Sequence, residues 1–171
     1  MEDGKVMINI LYEDNHLLVV EKKVGVLSQS DGTNTPDMLT ILKQYIKEKY
    51  NKPGNVYLGL VHRLDKNVGG VMVFAKTSKA ARRLSEEIRN REFKKTYLAI
   101  CEGILKGEGK YLDYLKRVEY RSEVSNSKEG KLAVLYYKVL EVKDNNTLVK
   151  INLETGRHHQ IRVQLSYHKD P

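Results

Sequence analysis

Residues 132–153 read LAVLYYKVLEVKDNNTLVKINL, two apolar segments on either side of the polar run Asp144-Asn145-Asn146. Both segments, 132–142 and 147–153, are rich in β-branched and aromatic residues, which favour strands. Asparagine and aspartate tolerate the left-handed backbone that a tight turn requires. The pattern therefore predicts an antiparallel β-hairpin.

Toward the N-terminus, short strand patterns alternate with helical ones. Strands are predicted at residues 7–11, 17–20, 56–60, 71–75 and 95–101, helix starts at Thr35-Pro36 and at Ser78 as N-cap, a loop at 103–110, and a last helix at 157–167. This order predicts an α+β fold with a mixed, largely antiparallel β-sheet flanked by helices. The length of 171 residues suits a single domain, 1–171.

The composition indicates a basic chain without disulfides. Lys and Arg number 30 against 22 Asp and Glu, the net charge is +8, and the one cysteine is Cys101. A single cysteine excludes an internal disulfide and a cysteine-clustered zinc site. No apolar run reaches the roughly 20 residues of a membrane helix, and no secretion signal is present, so a cytoplasmic location is expected. The charge fits a polyanionic partner as well as it fits a surface that is merely kept soluble.

Several familiar catalytic motifs are absent from the sequence. It contains no Gly-x-x-x-x-Gly-Lys-Ser/Thr, no Gly-x-Gly-x-x-Gly, no His-Glu-x-x-His and no Gly-x-Ser-x-Gly. Nucleotide hydrolysis, nicotinamide chemistry and zinc proteolysis therefore lose their usual sequence support. Two polar clusters remain as candidates for chemistry, at residues 62–70 and 154–162.

The first cluster centres on Asp65, which follows a predicted strand and lies between Arg63 and Lys66. Neighbouring positive charge should keep this carboxylate ionised at neutral pH. An ionised carboxylate at a strand end can serve as a nucleophile or a general base. The alternative is structural, with Asp65 pairing with Arg63 or capping a turn.

The second cluster gathers several hydrogen-bond donors into one turn after a predicted strand. A helix over 157–167 would place His158 and Arg162 on one face, four residues apart. Such a row can bind a phosphate or hold a carboxylate in a bidentate manner. An ordinary solvated helix start would have the same composition.

A basic stretch at residues 76–95 adds a possible nucleic-acid surface. Its eight basic residues outnumber three acidic ones and are Lys76, Lys79, Arg82, Arg83, Arg89, Arg91, Lys94 and Lys95. A surface of this kind suits contacts to RNA phosphates that do not read sequence. The other interpretation is a solvated helix face with ion pairs. Tyr97 follows directly and offers a ring for base stacking.

Four segments of the chain carry a further signal. They are Val19-Val20-Glu21-Lys22-Lys23-Val24-Gly25, His62-Arg63-Leu64-Asp65 with a following strand that ends Phe74-Ala75-Lys76, Phe93-Lys94-Lys95-Thr96-Tyr97-Leu98-Ala99, and Thr155-Gly156-Arg157-His158-His159-Gln160-Ile161-Arg162. In this order they resemble the motifs of the RluA-type RNA pseudouridine synthases, over nearly the whole chain. The sequence departs from that pattern at Val68-Gly69-Gly70, where Thr-Ser-Gly is usual, and at Lys22-Lys23, where Lys-Pro is usual.

The resemblance implies the catalytic-domain fold of that family and isomerisation of uridine to pseudouridine within RNA, without cofactor or metal. It implies that Asp65 is the catalytic carboxylate, that Tyr97 lies against the target base, and that Arg162 pairs with Asp65. Arg63 corresponds to the position that fills the gap left by the extruded nucleotide. The family's domain continues past the equivalent of Pro171, so the chain is expected to be truncated at its C-terminus.

The expected partner is ribosomal or transfer RNA, with no membrane and no metal, and a monomer suffices. The residues expected to bind RNA are Arg63, His62, Arg157, Lys79, Arg82, Arg83, Lys94 and Lys95. Two other classes stay open: a non-catalytic RNA-binding module on the same scaffold, and an RNA-cleaving enzyme that uses His62 with His158 or His159. A metal site of these histidines with His168 is disfavoured, since adjacent histidines point in different directions.

Overall fold

The structure, a computed structural model, describes residues 8–168. Its elements are β1 (Asn9–Glu13), β2 (Leu17–Lys22), α1 (Met38–Lys49), β3 (Gly59–Leu60), β4 (Gly70–Ala75), α2 (Ser78–Arg89), β5 (Lys95–Glu102), β6 (Glu108–Val118), β7 (Arg121–Ser125), β8 (Lys131–Lys143), β9 (Asn146–Leu153) and α3 (Gln160–Tyr167). Every pairing between these strands is antiparallel, which together with the three helices confirms the predicted α+β class. The chain divides into two units, Met1–Asn90 and Arg91–Pro171. Between residues 8 and 168, no helix combines the length and the hydropathy needed to cross a lipid bilayer.

The first unit contains a four-stranded sheet in the order β1-β2-β4-β3, with α1 and α2. Alternate residues of β2 and β4 point inward, and Leu18, Val20, Met72 and Phe74 have no exposed surface. The helix α1 buries its own apolar face in the way that its spacing predicts. Full burial of a large apolar side chain contributes about 1.5–3 kcal/mol. This core holds β4, whose N-terminal end carries the loop with Asp65.

The first helix begins later than predicted. Asp37 caps α1 by accepting a hydrogen bond from the Thr40 N–H at 3.0 Å, so Thr35-Pro36 lies before the helix. The reason is a tertiary contact. Leu27 donates its N–H to the Pro36 carbonyl at 2.9 Å and accepts the Met38 N–H at 2.8 Å, which keeps this segment extended.

Other boundaries of the first unit also differ from the prediction. Thr77, rather than Ser78, caps α2 by accepting the Ala80 N–H at 3.2 Å. The strand predicted at 56–60 is only two residues long, and the one predicted at 7–11 begins at Asn9, with residue 7 outside the described range. Serine, threonine and aspartate are near-equivalent as caps, so propensity alone does not choose between neighbours.

The second unit contains a five-stranded sheet in the order β5-β9-β8-β6-β7, with α3. The predicted hairpin is confirmed, since β8 and β9 are joined by the two-residue turn Asp144-Asn145, with φ of 49° and 56°. The loop predicted at 103–110 is shorter, because β6 begins at Glu108. The buried core of this unit comprises Cys101, Leu105, Leu135, Val149, Ile151 and Leu165.

The strands β6 and β7 were not predicted. On β6 an inward position is taken by Asp113, which interrupts the alternation of apolar and polar residues that would have indicated a strand. Its carboxylate is almost fully buried, accepts a hydrogen bond from Gln164 Nε2 at 2.7 Å and lies 3.1 Å from His168 Nε2. A buried carboxylate requires such partners, and both come from the distant C-terminal part of the chain.

Glu13, at the end of β1, connects three elements of the first unit. Its carboxylate accepts hydrogen bonds from Tyr45 at 2.8 Å, Lys49 at 2.8 Å, Tyr50 at 2.7 Å and Lys76 at 2.8 Å. The side chain is 8% exposed. Burial alone raises the pKa of Glu13, but these four donors outweigh burial and hold the pKa at about 2.

We expect Glu13→Gln to destabilise the chain at pH 7 and to remove part of its acid sensitivity. Because the pKa of Glu13 is lower in the folded state than its ordinary 4.5, its contribution is present above pH 4.5 and is lost as the pH falls toward 2. Linkage puts this loss at about 2 kcal/mol by pH 3. Urea denaturation at pH 7 and pH 3 measures the free energy of unfolding of both proteins.

The control is Glu21→Gln, which removes a partly exposed carboxylate of β2 that pairs with the exposed Lys23. Exposed pairs contribute little, so this variant should follow the wild type at both pH values. An equal deficit of Glu13→Gln at pH 7 and pH 3 would contradict the assignment.

Candidate active site

In the first unit, Asp65 lies on the loop 61–69 between β3 and β4. The residue before it, Leu64, is buried and is held at both polar atoms of its backbone by Ser28. The Ser28 hydroxyl donates to the Leu64 carbonyl at 2.6 Å and accepts the Leu64 N–H at 3.0 Å. The Asp65 carbonyl accepts the Val68 N–H at 3.0 Å, which closes a turn. The Asp65 side chain is exposed, and these hydrogen bonds fix the backbone that carries it.

His62 attaches the same loop to the neighbouring strand. Its Nε2 accepts the Val73 N–H at 3.0 Å, so this nitrogen carries no proton in the structure. The bond fixes the backbone three residues before Asp65. His62 was predicted to contact RNA, and the structure gives it this additional, structural contact.

A buried lysine lies beneath the loop and was not predicted as a site residue. Lys22 has no exposed surface, and its Nζ donates to the carbonyls of Val26 at 2.6 Å, Lys23 at 3.1 Å and Lys66 at 3.3 Å. Burial lowers the pKa of Lys22, and the negative charge of Asp65 acts in the opposite direction. Lys22 is thus a cation whose charge interacts with that of Asp65. The signal was its inward position in the alternation of β2.

The two departures from the family pattern have visible consequences in the first unit. Lys23, where proline is usual, is exposed and pairs with Glu21 at 2.7 Å. Gly70, which matches the glycine of the family pattern, has a φ of +146°, which L side chains rarely adopt. A Cβ on Gly69 would lie 3.3 Å from Val24, so the glycine pair lets the loop approach the end of β2 closely.

In the second unit, the turn before α3 is organised by Gln160. Its buried side chain accepts hydrogen bonds from the Thr155 hydroxyl at 2.8 Å and the Arg157 N–H at 3.0 Å, and donates to the Val134 carbonyl at 3.1 Å. The Thr155 hydroxyl accepts the Val134 N–H at 2.8 Å. The polar residues of this motif therefore fix the turn, and the backbone of Arg157 with it.

The helix α3 begins at Gln160 and not at residue 157, because His159 has a left-handed backbone with φ of 52°. His158 thus lies before the helix and does not share a helical face with Arg162, which corrects the prediction. The His158 Nδ1 lies 3.1 Å from the Ser122 hydroxyl, and its ring lies against His159 with centroids 3.8 Å apart. Arg162 is exposed in the first turn of α3.

Lys95 and Tyr97 lie on the same, partly buried face of β5. Lys94, just before the strand, is exposed. The Tyr97 ring packs against the core of the second unit, and Tyr97 lies opposite Ile151 of β9. Arg157 donates its Nε to the Leu132 carbonyl at 2.8 Å. The second unit therefore carries Tyr97 and Lys95 on β5 and Arg157 on the turn between β9 and α3.

The basic stretch is not uniform. Lys79, Arg82 and Arg83 are exposed on α2, at spacings of three and one, where phosphates have access to them. Lys76 is instead paired with Glu13, and Arg91 is paired with Glu154. Two of the eight predicted cations are thus used in internal ion pairs.

The histidines considered as metal ligands have contacts within their own units. His62 and His158 contact Val73 and Ser122, as described, and His168 contacts Asp113 and stacks on Tyr111 with ring centroids 4.0 Å apart. In the part of the chain that the structure describes, no three His, Cys, Asp or Glu side chains are grouped so that they could hold a metal ion.

Comparison with known proteins gives the family. The family model "RNA pseudouridylate synthase" matches residues 16–167. The chain is 35% identical to "Ribosomal large subunit pseudouridine synthase D" of Yersinia pestis over 98% of its own length and 51% of that protein. It is 37% identical to "Uncharacterized RNA pseudouridine synthase" of Aquifex aeolicus, over 94% of the chain and 52% of the relative. The chain spans about half the length of these curated relatives.

Solved structures agree with this result. "Human RNA Pseudouridylate Synthase Domain Containing 4" matches with a TM-score of 0.79 and 27% identity, over 94% of this chain and 64% of that one. "Human RNA Pseudouridylate Synthase Domain Containing 1" has the same fold, with a TM-score of 0.76. The sequence motifs, the antiparallel fold and these matches together establish that the chain belongs to the RNA pseudouridylate synthase family, within its RluA-type group.

Proposed function

We propose that this chain carries the catalytic carboxylate of an RNA pseudouridine synthase, which isomerises a specific uridine in ribosomal or transfer RNA. The observation that carries the proposal is the position of Asp65. It is exposed on a loop whose backbone is held by Ser28 and His62, and a buried ammonium, that of Lys22, lies beside it. This is an arrangement suited to a preorganised anionic catalyst.

The reaction requires no cofactor. The bond between the ribose C1′ and N1 of uracil breaks, a bond between C1′ and C5 forms, and the proton lost from C5 is balanced by one gained at N1. Atoms and electrons are conserved within the nucleotide. The step needs an ionised carboxylate, near a pyrimidine that has left the base stack, in surroundings that exclude water.

Further roles follow from the family resemblance and form part of the proposal. Tyr97 lies against the target base, Arg162 pairs with Asp65, and Arg63 occupies the space of the extruded nucleotide. Residues 1–171 act as one catalytic domain, sufficient as a monomer. RNA binding is also assigned to His62 and to six basic residues, which are Lys79, Arg82, Arg83, Lys94, Lys95 and Arg157.

Ribosomal RNA is the favoured substrate because the Yersinia pestis relative is named as a ribosomal large subunit enzyme. This substrate also implies a location in the cytoplasm. A large folded RNA suits recognition by charge and shape, since proteins read the base edges of paired RNA poorly.

The test is chemical mapping of pseudouridine in cellular RNA, with and without the gene that encodes this chain. We expect at least one modified uridine to disappear on deletion and to return when the gene is restored. RNA that co-purifies with the protein while every pseudouridine remains would favour the non-catalytic binding module. Shortened RNA products would favour the histidine-dependent nuclease.

A further inference from the structure

Three cations surround the turn at residues 154–157 of the second unit. The Nζ of Lys95 lies over Gly156, where an added Cβ would stand only 3.3 Å from it. Arg157 is the next residue of the turn. Arg91 contacts the first residue of the turn through its ion pair with Glu154. Three positive charges therefore lie near this turn, and the Glu154 carboxylate neutralises only one of them.

Lys95 is the least compensated of these groups. It is partly buried, and no acceptor among residues 8–168 takes a hydrogen bond or an ion pair from its ammonium. Burial lowers the pKa of Lys95, and the charges of Arg157 and Arg91 lower it further. A partly buried cation next to like charges costs free energy unless an anion compensates for it.

Arg157 is held in place by its surroundings. Its Nε donates to the Leu132 carbonyl at 2.8 Å, and its N–H donates to Gln160 at 3.0 Å. No carboxylate among the described residues pairs with the guanidinium, so its remaining N–H groups are available as donors. A guanidinium fixed in this way is preorganised to bind the oxygens of a phosphate.

We propose that Lys95 and Arg157 together form a binding site for one phosphate of the RNA backbone. The inference rests on the proposed function, which supplies RNA as the partner. Lys95 provides a point charge and Arg157 a planar set of donors, and a phosphate supplies the missing negative charge. Because Lys95 and Tyr97 are two residues apart on one strand face, about 7 Å, the phosphate belongs to a nucleotide next to the target uridine.

The test compares Lys95→Met with Lys150→Met in the whole chain. Lys150 is an exposed lysine on β9, so its replacement removes the same charge from the same unit. The probe is a fluorescent RNA hairpin with a single-stranded loop of uridines, and its affinity is measured by anisotropy at several KCl concentrations. We expect Lys95→Met to weaken binding about tenfold, which is the effect of one charged hydrogen bond. The slope of log affinity against log salt should fall by about 0.7 for one lost phosphate contact.

Lys150→Met should bind within about twofold of the wild type, the small effect of a charge that makes no phosphate contact. The melting temperature of each variant is measured as well. That of Lys95→Met should be no lower than that of the wild type, because the substitution removes the repulsion between Lys95 and the neighbouring arginines. Lys95→Arg should restore the affinity and the slope. An unchanged affinity and slope for Lys95→Met would overturn the phosphate site.

Pseudouridine formed by the wild-type protein is measured in the hairpin and in cellular RNA, and this measurement separates the two proposals. If the RNA is isomerised while Lys95→Met binds normally, the phosphate site is wrong and the function stands. If Lys95→Met loses the contact while no pseudouridine forms with any cellular RNA, the phosphate site stands and the function is wrong.

Discussion

Asp65→Asn should form no detectable pseudouridine, with turnover lowered by at least about a thousandfold, as for other residues that touch the reacting atoms. An amide of nearly the same shape is neither a useful nucleophile nor a base. The affinity for RNA should change little, because Ser28 and His62 hold the backbone of the loop on both sides of the substitution. Release of tritium from RNA labelled at C5 of uridine measures turnover, since this hydrogen leaves carbon during the reaction.

The matched control is Asp14→Asn, a half-buried aspartate of the first unit, which accepts hydrogen bonds in the turn between β1 and β2. It should turn over like the wild type. Turnover of Asp65→Asn within a few fold of the wild type would remove this residue from the catalytic site, and the chain would then fit the non-catalytic module better.

Arg162→Ala should slow turnover by about a hundredfold, which is typical for the loss of a preorganised charged donor. The proposed reason is that Arg162 orients the ionised Asp65. Arg162 is exposed in α3, so its removal should alter the free energy of unfolding by less than about 0.5 kcal/mol. Single-turnover kinetics and urea denaturation measure the two quantities.

Two further variants sharpen the Arg162 experiment. Arg162→Lys retains the charge without the planar donors and should be intermediate. The double variant Asp65→Asn with Arg162→Ala should be no slower than Asp65→Asn alone, because residues that act as one unit do not contribute additively. Unchanged kinetics in Arg162→Ala would exclude it from the site.

Local patterns predicted the elements that depend on local contacts. The β8–β9 hairpin follows from Asp144-Asn145 and two strand-forming flanks, and α1 follows from apolar residues at spacings of three and four. The start of α1 was misplaced because Leu27, a residue outside the helix, binds the backbone on both sides of Asp37. Propensity contains no information about such a contact.

For the candidate site, too, the sequence indicated residues within motifs but not the distant residues that contact them. The motifs indicated Asp65, Tyr97 and Arg162, yet the residues that support Asp65 were missed. Ser28 lies 36 positions before Leu64, and Lys22 lies 44 positions before Lys66. The start of α3 was also missed, since only a small fraction of non-glycine residues adopt the left-handed backbone of His159.

The three acceptors of Lys22 have a practical consequence for protein engineering. They are main-chain carbonyls from two separate loops, and one of them, that of Lys66, belongs to the Asp65 loop. Moving that loop away would remove one hydrogen-bond acceptor from the buried Lys22 ammonium, at a place where water does not replace it. Grafting residues 61–69 onto another scaffold should therefore fail to reproduce their shape unless a lysine equivalent to Lys22 is transplanted as well.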